Sequence, residues 1–378
     1  MNTFDVAVIG AGVAGVSVAA ELAQYGTVVV IERETQPAYH TSGRSAALFA
    51  TNNGNPVVRA LSFASEDFYR NPPEGFIEHP LLAPRGLLMI GRPDQRDALD
   101  RFHASTGKGE RLPKLDEAQT CEKNPLLRAD YGASAVWDAT ACDIDVHALL
   151  QAYLKSFRRD GGTLLTAREV TRLRKKSNGW EIETGNGSIA AGMVINAAGA
   201  WVDEVAGLAS VQPLGFKPMR RTAMIVDPPA GVSSMIPPLG AWPMTIDVDE
   251  QFYLKPEAGM LLLSPAEETQ MLPQDIQPDE IDIAICIDRI EQAFDIRVRH
   301  VKRKWAGLRT FAPDRTPVAG FDPRTQGFFW LAGQGGYGYQ TAPALSRTAA
   351  ALIRGGPAPG DISAFGLSSR DLAVERLL

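Results

Sequence analysis

Cysteine is scarce in this 378-residue sequence: Cys121, Cys142 and Cys286 form no C-x-x-C pair and are too few for a disulfide framework. That excludes a small secreted fold held by cross-links. The five histidines, His40, His79, His103, His147 and His300, show no metal-ligand spacing, so no metal is expected. No apolar run approaches the roughly 20 residues that span a bilayer. The start, MNTFDVAVIGAG, lacks the basic region of a secretory leader. A cytoplasmic, reduced protein with at most peripheral membrane contact is expected. Basic excess is missing too: 38 Lys and Arg against 44 Asp and Glu leave a net charge of −6, which argues against a nucleic-acid partner.

Glycine is what the sequence has in surplus, at 35 residues. Phe4–Ile9 reads as a buried strand and runs into Gly10-Ala11-Gly12-Val13-Ala14-Gly15. A helix follows to Tyr25, Gly26 ends it, and Thr27–Ile31 is β-branched before Glu32. This β-α-β unit with G-x-G-x-x-G is a dinucleotide fingerprint. Gly10 permits the tight turn, Gly12 admits a pyrophosphate, Gly15 packs helix on strand, and Glu32 accepts from ribose hydroxyls. Its position near the start, with a second glycine-rich junction near the end, favours FAD over NAD.

Three further segments have the same small-residue character. Gly43-Arg44-Ser45-Ala46-Ala47 allows close approach, with Arg44 and Ser45 as phosphate contacts. Asn196-Ala197-Ala198-Gly199-Ala200-Trp201 ends a strand beginning at Met193. Gly333-Gln334-Gly335-Gly336-Tyr337-Gly338-Tyr339-Gln340-Thr341 joins a strand to a helix expected over Pro343–Ile353. Backbone N–H groups at such a junction stabilise negative charge on a reduced flavin. A helix from Asp145 to Asp160, a strand Thr163–Ala167, and a meander through Glu169–Leu173, Gly179–Thr184 and Ser188–Ala190 lie between. The fold expected is α/β (α+β overall), a Rossmann-like FAD-binding part with an interleaved antiparallel-sheet substrate part. The first spans 1–50, 145–210 and 304–378, the second 51–144 and 211–303.

On these segments the sequence resembles the glycine oxidase, sarcosine oxidase and D-amino-acid oxidase family of FAD enzymes, over essentially its whole length. Within it, Glu32-Arg33-Glu34, Tyr39-His40, Gly43–Ala47, Asn71-Pro72-Pro73, Glu78–Leu82, Phe252–Pro256, Trp305–Arg309 and Gln334–Gly338 resemble the D-arginine dehydrogenase branch. The resemblance implies non-covalent FAD, held also by Ala14, Arg33 and Val170. It implies hydride transfer from an amino-acid Cα, giving an imino acid that water converts to a 2-oxo acid and ammonia. Arg309 and Tyr253 then anchor the substrate carboxylate, with Arg221 as a second arginine. Arg220 and Arg221 face opposite ways on a strand, so only one should meet the pocket. Three positions depart from that branch: Leu87 replaces a carboxylate, Asn53 a tyrosine and Leu48 a histidine. With Gly338 these are the expected pocket residues, and they imply a neutral or hydrophobic D-amino acid rather than a cationic one. A glycine- or sarcosine-type secondary-amine oxidase is the alternative, and a non-catalytic flavin-binding partner protein a third reading. The electron acceptor, whether quinone, carrier protein or oxygen, is not legible.

Overall fold

Val6–Ile9 and Val28–Ile31 bury every side chain, which a strand covered on both faces requires. In a computed structural model, which describes residues 3–106, 112–232 and 235–378, they are neighbours in a mixed sheet. The expected segments 1–50, 51–144 and 211–303 are therefore described except at those few positions. The parallel portion runs in the order Phe328–Ala332, Gly187–Asn196, Thr3–Ile9, Val28–Ile31 and Thr163–Leu165. Gly187–Asn196 is a single strand, where the sequence pattern suggested two. Its first part pairs with the meander strand Gly179–Thr184 and its last three residues with Phe328–Trp330.

The helices Val13–Ala23, Val146–Arg159 and Gly338–Ile353 contribute to one apolar core on this sheet. Asp145 caps the second, accepting from Ala148 N–H at 2.8 Å. The third begins five residues earlier than expected and encloses Pro343. Proline supplies no N–H to the carbonyl one turn back. The Tyr69 hydroxyl takes that role, donating to Tyr339 O at 2.5 Å. Tyr69 belongs to the helix Pro56–Arg70, whose Leu61, Ala64 and Tyr69 join the same core. This helix was expected in the second part, but its buried side belongs to the first.

The second sheet is mainly antiparallel. Lys217–Val226 pairs along its length with Val301–Phe311, and the sheet continues through Met260–Ser264, Tyr253–Glu257, Met244–Asp247, Leu87–Gly91 and Ser134–Asp138. Val301–Phe311 is thus a strand of the second sheet, although residues from 304 onward were expected in the first part. The two sheets meet where Val301–Phe311 ends and Gly335 N–H donates to Thr310 O at 2.9 Å. Among the described residues no helix is long and apolar enough to cross a membrane.

Candidate active site

Two adjoining cavities share Gly12, Thr41, Ser42, Ala197 and Gly199: one is a trough along the ends of the parallel strands, and the other opens onto the second sheet. Backbone builds it. Gly10 has φ +102°, and a Cβ there would lie 2.6 Å from Ala197 O, so only glycine fits. The helix Val13–Ala23 opens on Gly12 without a side-chain cap and without an acidic residue in its first turn. Its positive end therefore faces the trough. The Ser42 hydroxyl accepts from Val13 N–H at 3.0 Å. At the far end the helix Gly338–Ile353 likewise has no side-chain cap. Thr310 Oγ1 and Gln334 Nε2, on residues lining the same cavity, are buried without a hydrogen-bond partner among the described residues. Orphaned polar groups of this kind call for a partner from outside the chain.

The substrate end is built by strand register. Arg309 lies opposite Met219, and Arg221, two residues along, lies opposite Gly307. Both arginines therefore share a face, and both line the cavity. Arg220 takes the other face, where its Nη2 reaches Asp282 at 2.6 Å and Asp279 at 3.4 Å. The Arg309 guanidinium makes no ion pair or hydrogen bond to another described residue. It has room because position 336 is glycine: a Cβ there would be 2.9 Å from Arg309 Nη1. Tyr253, paired with Ser264 and Ile246, joins the lining.

The cavity mouth is ionic. Arg221, 7% exposed, places Nη2 3.2 Å from Glu268 Oε1 and 3.9 Å from Glu250. Glu268 Oε1 also meets Arg315 Nη2 at 2.9 Å. Burial, then the neighbouring Arg309 charge, pull the Arg221 pKa down, opposed by Tyr253, Glu250 and Glu268. Burial raises the Tyr337 phenol, with Glu250 acting in the same sense.

Most residues expected from sequence line these two cavities. Gly10, Gly12, Glu32, Arg33, Val170 and Gly199 line the trough. Ala14, Ser45, Ala46, Ala47, Leu48, Asn53, Gly335, Gly336, Tyr337, Gly338, Tyr339 and Gln340 line the substrate end. Glu32 accepts from Ala11 N–H at 2.6 Å and from Glu34 N–H at 2.9 Å. Gly15 packs helix on strand, since a Cβ would fall 2.0 Å from Gly10 O.

Four expectations change. Arg44 was expected on phosphate, but its guanidinium is held by the carbonyls of Ile276 and Ala306 and by Asp275. Gly43 lines neither cavity; a Cβ there would meet Ala38 O at 2.1 Å, so it closes the loop. The Gln340 side chain serves the scaffold, donating to Ser62 Oγ at 2.9 Å and accepting from Ala50 N–H. Leu87 is buried in an apolar cluster rather than in the cavity wall, whereas Met89, two residues on along the same face, does line the space. Sequence reasoning missed Met89, Met244, Ile246, Glu250, Glu268 and Arg315. Only the alternation of Leu87 and Met89 along one strand offered a signal.

The DAO family model, described as FAD dependent oxidoreductase, matches residues 5–352. The chain belongs to this family. Its cofactor is FAD, and the uncapped helix ends, glycine-lined trough and orphaned Thr310 and Gln334 atoms fit that group. Among curated relatives of this FAD-dependent oxidoreductase, glycine oxidase of Geobacillus kaustophilus is 24% identical, with 97% of each chain covered. Human mitochondrial dimethylglycine dehydrogenase is also 24% identical, over 95% of this chain but only 43% of its own length. Among solved structures, L-α-glycerophosphate oxidase of Mycoplasma pneumoniae with FAD bound has a TM-score of 0.84 at 19% identity, covering 94% of this chain and 95% of that one.

Proposed function

We propose that this chain oxidises the Cα–N bond of an amino acid whose carboxylate is held by Arg309, Tyr253 and Arg221. The observation that carries this reading is Arg309, a guanidinium facing the cavity with no protein anion upon it among the described residues. A planar fork of donors suits a carboxylate better than any other small anion except phosphate. Tyr253 adds a hydroxyl on the same cavity wall. Bound non-covalently in the trough, FAD supplies the two-electron acceptor for the hydride leaving Cα.

The chain's own residues bind, orient and enclose. Arg309 and Tyr253 fix the carboxylate, so the amine-bearing carbon has one place to sit. Gly12, Gly199 and the backbone at Gly335–Gly338 would hold the cofactor, and Glu32 its ribose. None of the five histidines lines the substrate cavity, so an amine proton has no imidazole to take it there. The imino acid released is hydrolysed by water to a 2-oxo acid and ammonia.

Leu48, Met89, Ala223, Met244 and Ile246 make much of the wall apolar, which supports a neutral or apolar side chain. The D-configuration rests on the resemblance of the motif order to D-arginine dehydrogenase. Likeness to glycine oxidase and dimethylglycine dehydrogenase favours a second reading, a secondary amine of the N-substituted glycine type. Steady-state kinetics across D- and L-amino acids and sarcosine test both, with an artificial acceptor and with oxygen. Preference for D-leucine, D-methionine or D-phenylalanine is expected. Preference for sarcosine selects the second reading, and preference for D-arginine refutes the apolar assignment.

A further inference from the structure

Arg221 has two claimants, and this bears on how the proposed carboxylate anchor works; the inference rests on that reading. The guanidinium is almost wholly buried beside Arg309. A buried charge beside a like charge needs an anion when no substrate is present. Glu268 supplies it at 3.2 Å, with Glu250 farther off at 3.9 Å. Glu267, the preceding residue, is engaged elsewhere, accepting from Thr222 N–H at 2.6 Å. The same Glu268 oxygen also meets Arg315, which is half-exposed and rests on the Phe311 ring at 4.0 Å. Arg221 Nε is buried and lacks a partner among the described residues, so Glu268 satisfies only part of the fork.

We propose that Glu268 is an internal competitor for the substrate carboxylate, occupying Arg221 until the carboxylate displaces it towards Arg315. Glu268 is then a positioning residue. It keeps Arg221 in place without substrate, weakens the grip on every carboxylate, and returns to Arg221 as the 2-oxo acid leaves. Arg315 sets the balance by giving Glu268 a second cation at the mouth.

The test is calorimetric binding of an inert carboxylate, benzoate, to the FAD-loaded protein. Glu268→Gln keeps the shape and removes the charge, and should tighten binding about tenfold. Arg315→Gln should weaken it several-fold by leaving Glu268 wholly to Arg221. The double variant should bind more tightly than Arg315→Gln alone, since Glu268 is the anion that Arg315 holds at 2.9 Å. KM should follow the binding constant and move more than the rate of flavin reduction at saturating substrate does. Equal FAD content and melting temperature certify folding, and Glu268→Ala should shift binding in the same direction. Unchanged or weaker benzoate binding in both Glu268 variants overturns the proposal. Arg309→Leu separates the two readings: if it binds benzoate as the unaltered protein does, the carboxylate anchor itself is wrong.

Discussion

The cofactor trough and the substrate cavity share a wall but are made differently. The trough is built of backbone: a glycine at φ +102°, two helix ends without side-chain caps, and small residues that leave space. The cavity is built of side chains brought together by strand register, with Arg309 and Arg221 from neighbouring strands and Glu268 from a loop between strands. Backbone geometry can be read from a few consecutive residues. Register joins residues nearly ninety apart in sequence, and no local pattern announces it. The trough should therefore fail as a whole when one glycine is lost, whereas the cavity should fail contact by contact.

The sharpest way to break this contrast is Gly10→Val. Its side chain would enter the space of Ala197 O, and the purified protein should carry no FAD, as read from the ratio of flavin to protein absorbance. Retention of FAD would mean that the turn is not what shapes the trough. Arg309→Leu comes next. It should lower kcat/KM about 100- to 1,000-fold, the scale of losing one buried charge-assisted contact, while FAD content stays normal. Gly336→Ala touches both regions. Its Cβ would press on Arg309, so KM should rise about tenfold with FAD retained. The smallest effects separate Met89 from Leu87. Met89→Ala should change the ranking of substrate side chains about tenfold. Leu87→Val should cost about 1 kcal/mol of stability in denaturant melts and leave that ranking unchanged.

The same contrast explains what was legible. Gly10, Gly12, Gly15 and Glu32 follow a fingerprint in which each residue has a local reason; Gly10, Gly12 and Glu32 line one cavity and Gly15 abuts Gly10 O. That only one of Arg220 and Arg221 faces the cavity follows from strand alternation, while the choice of Arg221 came from the resemblance. Arg44 shows the limit: its neighbours suggested phosphate, yet Asp275, 231 residues away, holds its guanidinium. Leu87 shows another, because the strand's face was readable but the depth of each residue along it was not. The helix Pro56–Arg70 looked like part of the second unit by composition. Its Tyr69 hydroxyl nevertheless completes the helix that Pro343 interrupts. Glu250 and Glu268 sit in polar loop segments where carboxylates are ordinary, and only the fold brings them to Arg221.

The central claim is that Arg309 anchors an amino acid for oxidation at its Cα–N bond. Anaerobic mixing of the FAD-loaded protein with D-methionine, D-leucine, their L-forms and sarcosine, followed by the visible flavin absorbance, tests it most directly. The account predicts rapid bleaching by a neutral D-amino acid, and loss of that bleaching at the same concentration in Arg309→Leu. Equal bleaching in the variant, or none by any of these amines in the unaltered protein, would contradict it.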